Sequence, residues 1–120
     1  SIPQDDRLAT YAPKLKREDG YIHWDMPAAN IANLIRGLDP FPGAYTYLDG
    51  KLLKLFRPKT ISASVEAPPG TIVEATHDGL KITTGQGVLL IKEVQLQGKR
   101  RLPVKEFIKG YPHLKGKKLG

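Results

Sequence analysis

The apolar residues Ala28, Ile31, Leu34, Ile35 and Leu38 recur at steps of three and four, the spacing that lines one face of an α-helix. That spacing predicts a helix over about Met26 to Arg36. Asp25 is a good N-cap, Pro27 is tolerated in the first turn, and Gly37 suits the C-terminal end. Pro40 prevents continuation, so "LIRGLDPFPGAY" reads as a corner between helix and strand. From Ala44 the period changes. "AYTYL", the turn pair Asp49-Gly50 and "KLLKLFRPK" predict a β-hairpin. "ISASVEA" is a weaker strand candidate. "TIVEAT", "LKITT" and "VLLIKEVQL" follow, separated by "HDG" and "GQG" turns, and "PVKEFIKG" predicts a short closing helix. Turn signals about every 8–12 residues mark a small barrel or sandwich. The expected fold is mainly β: a small OB-like antiparallel barrel of about five to six strands, with one N-terminal helix and a short C-terminal helix.

Residues 1–20 have no sustained period and many charges, and read as an interdomain linker. Residues 21–110 form the expected barrel domain, and 111–120 a basic tail. A chain of 120 residues that is 40% hydrophobic is long enough for one modest core and too apolar to be disordered. Twelve glycines and ten prolines fit many short elements joined by turns. The absence of cysteine excludes disulfides and thiolate metal sites and fits a cytoplasmic protein. No apolar run reaches the roughly 18 residues of a membrane span, and no apolar signal segment opens the chain. The lack of a starting methionine suggests a processed chain or a piece of a longer protein.

The search for chemistry is negative for catalysis and metals. His23, His77 and His113 have neither ligand spacing nor a carboxylate cluster. Asp5-Asp6 and Glu18-Asp19 lie in linker-like sequence, which rarely supplies the pocket that acid–base catalysis needs. Ser62 and Ser64 lack a histidine context, and the "TGQG" glycines precede a strand, not a helix, which argues for a turn over a phosphate loop. The basic residues are more informative. The net charge is +7 and the pI about 9.7, a balance that favours a polyanionic partner. Lys14, Lys16 and Arg17 form a knot in the linker. Lys51, Lys54, Arg57 and Lys59 follow one hairpin arm, and Lys99, Arg100, Arg101 and Lys105 cluster near the end. Tyr45, Tyr47 and Phe56 are candidate stacking aromatics, with Phe56 expected in the core.

The segments "ATYAPKLKREDGYIHW", "PAANIANLIRGLDPFPGAYT" and "APPGTIVEATHDGLKITTGQGVLLIKEVQLQGKR" resemble, in that order, the C-terminal domain of the methionyl-tRNA formyltransferase family. Related domains in sugar-nucleotide formyltransferases and 10-formyltetrahydrofolate dehydrogenase are the rivals. The resemblance implies an OB-like barrel behind a linker that follows a Rossmann-like catalytic domain. That domain binds 10-formyltetrahydrofolate and formylates initiator Met-tRNA. Its catalytic Asn, His and Asp have no counterpart positions here, so the resemblance implies a non-catalytic piece of a transferase with no cofactor or metal of its own. Lys14, Lys16 and Arg17 match the linker's basic residues, and Gly98 to Arg100 a basic turn. His23 departs from the family, where an Asp often precedes the tryptophan. The implied partners are initiator Met-tRNA and the missing catalytic domain, with the protein a cytoplasmic monomer away from membranes. The expected RNA contacts are Lys14, Lys16, Arg17, Arg36, Lys51, Lys54, Arg57, Lys59, Lys99, Arg100, Arg101 and Lys105. The alternatives are a module that packs on the catalytic domain of a sugar-nucleotide or folate formyltransferase, or a free-standing single-strand binder using Tyr45 and Tyr47.

Overall fold

The computed structural model describes residues 20–120. Lys14, Lys16, Arg17 and nearly all of the expected linker lie outside the described residues. The elements run α1 (Ala28–Leu38), β1 (Ala44–Leu48), β2 (Lys51–Ile61), β3 (Ile72–Thr76), β4 (Gly79–Thr83), β5 (Val88–Leu96), β6 (Leu102–Pro103) and α2 (Val104–Gly110).

The helix carries the expected face, with Ala28, Ile31, Ala32, Ile35 and Leu38 buried. Its bounds are shifted. Pro27, not Asp25, is the N-cap, in extended backbone and without a side-chain cap bond. The reason is tertiary. Residues 21–27 are drawn out by backbone partners far along the chain: Ile22 N donates to Tyr45 O at 2.9 Å, and Gly85 N to Trp24 O at 2.9 Å and Met26 O at 3.1 Å. Ala28 N, an orphan donor of the first turn, is satisfied by Gln86 O at 2.9 Å. At the other end Gly37 stays helical, and Leu38 is the last helical residue before the Asp39-Pro40 step ends the helix.

The hairpin turns where Asp49-Gly50 predicted, with φ of 51° and 82°, the pair of positive values that matches strand twist in a two-residue loop. β2 runs on to Ile61, and residues 62–69 form no strand, so the weak "ISASVEA" candidate is a loop. The sheet is antiparallel, in the order β1-β2-β5-β4-β3 with β6 paired to β5. Along β2 and β5 the core side changes parity. Leu53 and Leu55 face the core opposite Leu96 and Val94, whereas further along β5 the core residues are Leu89 and Ile91. The switch coincides with Arg57, whose φ is 54°, and with a gap in the ladder between the 56–93 and 58–91 pairs. A left-handed residue within a strand bends the sheet, so both strands turn a corner here.

β1 and β3 are not paired with each other, so the barrel does not close by a strand ladder. The last residues fill the gap. Ile72 N donates to Lys117 O at 2.8 Å, Gly116 N to Ile72 O at 2.7 Å, Leu119 N to Gly70 O at 2.8 Å, and Gly120 N to Tyr47 O at 2.9 Å. Leu114 and Leu119 are buried in the core. The segment read as a basic tail over 111–120 therefore completes the fold; two leucines among its lysines supply the apolar anchors. α2 adds Val104 and Phe107 to the same core, and Trp24 donates its indole N–H to Thr46 Oγ1 at 3.1 Å.

Gly85 is the tightest point of the N-terminal strap, since a Cβ there would collide with the carbonyl of Asp25. Gly85→Ala is expected to lose about 1–3 kcal/mol of stability. Gly110→Ala, with nothing within 4 Å of the added methyl, should stay within about 0.5 kcal/mol of the parent. Midpoints of urea denaturation measure both.

Candidate nucleic-acid interface

Strand alternation decides which side chains leave the core. In β1, Ala44 and Leu48 point inward, so Tyr45 and Tyr47 lie on the outer face. In β2 the inward Leu53 and Leu55 put Leu52, Lys54 and Phe56 outside, and in β5 Val94 and Leu96 put Glu93 and Gln95 outside. Register then sets these residues in rows. Tyr45 pairs with Lys54, and Lys54 with Gln95. Tyr47 pairs with Leu52, whose O accepts from Gln97 N at 2.8 Å and whose N donates to Gln97 Oε1 at 3.2 Å. A third row, Phe56 with Glu93, completes the set.

The third row is an anchor. The Arg101 guanidinium sits 3.9 Å above the Phe56 ring centroid. It donates Nε to Glu93 Oε1 at 2.7 Å, Nη1 to Asp39 Oδ1 at 2.9 Å and Nη2 to Asp39 Oδ2 at 3.3 Å. Glu93 Oε2 meets Arg57 Nε at 2.9 Å. The hydrogen bond to Asp39, opposed by partial burial and aided by Glu93, raises the Arg101 pKa above its ordinary value, so the group stays charged at any working pH. Phe56 is buried as expected, but beneath Arg101 on the outer face and not within the main core cluster. The fork also holds the corner after α1. Asp39 is fixed by Arg101, Gly43 N donates to Leu38 O at 3.0 Å, and Phe41 between them stands 83% exposed.

The first two rows and this corner enclose a groove of about 590 Å³, lined by Phe41, Tyr45, Tyr47, Lys54, Gln95 and Gln97 among others. Among the described residues no carboxylate lines it. Gly43, with φ of 87°, lets the Lys54 stem cross close above it, since a Cβ there would come 3.0 Å from Lys54 Cδ. The turn after β5 forms the far rim: Gly98 has φ of 78°, Lys99 N donates to Leu96 O at 2.8 Å, and Lys99 O accepts from Gln95 Nε2 at 3.0 Å. Lys99 and Arg100 project, exposed, from that turn. Tyr21 packs against Tyr45 at 5.6 Å between centroids, and Gly20 lies against Gly43 O and Tyr45.

The expected basic residues therefore divide. Lys54 lines the groove, Lys51 opens β2, and Lys99 and Arg100 line a neighbouring cleft with Leu102, Phe107 and Tyr111. Lys59 lies beyond the bend of β2, and Arg36 reaches that end by donating to Pro58 O at 3.2 Å. Lys105 lines a second, shallow cleft with Arg57, Lys92 and His77. Among the described residues Lys51, Lys54, Lys59, Lys99 and Arg100 form no ion pair, whereas Arg57, Lys81, Arg101, Lys109 and Lys117 do. Sequence reasoning passed over Asp39, Phe41, Glu93, Gln95 and Gln97. The Asp-Pro-Phe-Pro run was a visible signal for an outward aromatic, but nothing local tied Asp39 or Glu93 to Arg101. The described residues hold no cluster of potential metal ligands and no helix long and apolar enough to cross a membrane.

Comparison with known proteins matches residues 14–112 to the family of the formyl transferase C-terminal domain. The methionyl-tRNA formyltransferase of Citrifermentans bemidjiense is 49% identical over 117 residues, covering 98% of this chain and 36% of that protein. That of Desulforamulus reducens is 47% identical over 121 residues, covering 99% of this chain and 38% of that protein. The chain thus spans little more than a third of the curated relatives it matches. A solved structure of HypX from Aquifex aeolicus superposes with a TM-score of 0.70 at 19% identity, over 95% of this chain and 20% of that one, which is a likeness of fold.

The Arg101 fork gives a stability prediction. Arg101→Met keeps the stem over Phe56 but leaves Asp39 and Glu93 without their shared donor, and should cost about 1–2 kcal/mol. Arg101→Lys should recover little of it, because an ammonium cannot span both carboxylates as a planar fork does. Chemical denaturation of the two variants checks this, and parent-like stability of either would contradict the role given to the fork.

Proposed function

Since the chain belongs to the formyl transferase C-terminal domain family, we propose that it serves a methionyl-tRNA formyltransferase as the domain that grips initiator Met-tRNA. Formyl transfer from 10-formyltetrahydrofolate is assigned to a catalytic domain outside this sequence, on which the present domain packs. The protein would act in the cytoplasm, as a monomer.

The observation that carries this reading is a set of exposed or half-exposed cations that form no ion pair among the described residues. Lys51, Lys54 and Lys59 follow β2, and Lys99 and Arg100 stand on the neighbouring turn. A lysine with no carboxylate partner is free to neutralise a phosphate, and the cations condensed on the nucleic acid are then released, which favours binding at low salt. Backbone contacts of this kind follow the shape of A-form RNA without reading its deep major groove. Gly20 meets the barrel beside Gly43 and Tyr45, at the groove, and Lys14, Lys16 and Arg17 precede it in the sequence. Arg36 and Lys105 extend the basic surface beyond the bend. Arg57 and Arg101 contribute less, since Glu93 and Asp39 already neutralise much of their charge.

Filter binding of initiator tRNA tests the proposal. With about four to six phosphate contacts, affinity should fall about 10²- to 10³-fold between about 50 and 200 mM salt. Lys54→Ala and Lys99→Ala should each weaken binding and reduce the slope of log K against log salt by about one. Binding that ignores salt, or no binding at low salt, would overturn the reading and favour a module that only packs on a catalytic domain.

A further inference from the structure

Building on the RNA-gripping reading, we propose that the outer groove is a subsite for one unpaired nucleotide, its base stacked on Phe41 and its phosphate at Lys54. Phosphate contacts alone do not account for the groove. A purely electrostatic surface has no use for a phenyl ring that is 83% exposed, because its hydration is unfavourable and nothing among the described residues covers it. Here the ring is held out by a clamped corner, between Asp39 in the Arg101 fork and Gly43 bonded to Leu38. An aromatic face beside a cation is the arrangement that stacks a base while neutralising its backbone.

The groove fits such an occupant in size and chemistry. Its volume of about 590 Å³ falls within the range of ligand clefts, about 300–1,000 Å³. Among the described residues its lining holds a lysine and no carboxylate, which favours a polyanion over a cation. Its two carboxamides are each half used. Gln97 Oε1 accepts from Leu52 N, which leaves the Gln97 amide N–H groups as donors. Gln95 Nε2 donates to Lys99 O, which leaves the Gln95 carbonyl oxygen as an acceptor. A free donor and a free acceptor in the same lining suit the polar groups of a base. Such an edge and a free ring face belong only to a nucleotide outside a duplex, and folded RNAs offer these in loops, bulges and ends. Lys99 and Arg100 are exposed on the turn that follows Gly98 at the far rim.

The test uses the full chain and two probes of equal charge: an oligoadenylate of about six nucleotides, and the same backbone with abasic sites. The parent protein should prefer the base-bearing strand. Phe41→Ala should weaken oligoadenylate binding about 5- to 100-fold, leave abasic binding unchanged, and leave the salt slope of both unchanged. Phe41→Trp should retain or tighten it. Phe41 is exposed, so neither variant threatens folding. Equal affinity for the two strands, or an Ala variant that binds oligoadenylate like the parent, would overturn the subsite while salt-sensitive tRNA binding still stood. Loss of RNA binding by the parent chain at low salt would overturn both this subsite and the proposed function.

Discussion

A strongly bent sheet that does not close on itself leaves two edges, and every unpaired backbone group on a buried edge costs about as much as a lost hydrogen bond. Meeting that cost organises this fold. β1 and β3 are the edges, and they are served by the two ends of the described chain. Ile22 donates to Tyr45 on β1, while Lys117, Leu119 and Gly120 reach Ile72, Gly70 and Tyr47. The same straps carry Ile22, Trp24, Leu114 and Leu119 into the core. The shift of α1, the extended residues before it, and the packed C-terminus are one consequence seen at three places.

The outer face depends on a second economy, that of charge. Asp39 and Glu93 are both committed to Arg101, and Glu93 also to Arg57. Carboxylates that might have neutralised the β2 lysines are therefore engaged at the centre of the sheet. The result is a neutral anchor flanked by unpaired cations. The anchor covers Phe56, which alternation would otherwise leave in solvent, and the fork it uses also positions the corner that carries Phe41. Stability and the display of Phe41 rest on the same guanidinium.

This division suits the proposed role, which is to hold RNA rather than to react. The groove is open, polar and basic, and its aromatic ring is displayed by a short loop that a planar fork holds at one end. The helices stand away from it, with their buried faces spent on the core. A surface of this kind gains affinity from phosphates and selectivity from what a phosphate contact cannot see, namely whether a base is free to stack.

Much of the fold was legible along the chain because its signals are local. The three- and four-residue steps of α1, the Asp49-Gly50 turn, the glycine turns before β4 and β5, and the short helix after Pro103 all act between near neighbours, where backbone conformation is decided by steric and turn preferences. The ordered run of glycine, proline and apolar motifs identified the family for the same reason. The basic residues were legible as a type but not as a surface. Whether Arg101 is a free cation or an anchor depends on Asp39, 62 positions away, and that contact exists only once β5 has paired with β2. Whether residues 111–120 trail or close the fold depends on how far the sheet bends at Arg57. The groove depends on three strands setting their outward residues in register beneath one corner. Sequence alone determined the elements and the family, through interactions a few residues in range. Tertiary structure alone decided which charges remain free and where an aromatic ring meets them, because ion pairing and sheet closure join groups that are neighbours only in space.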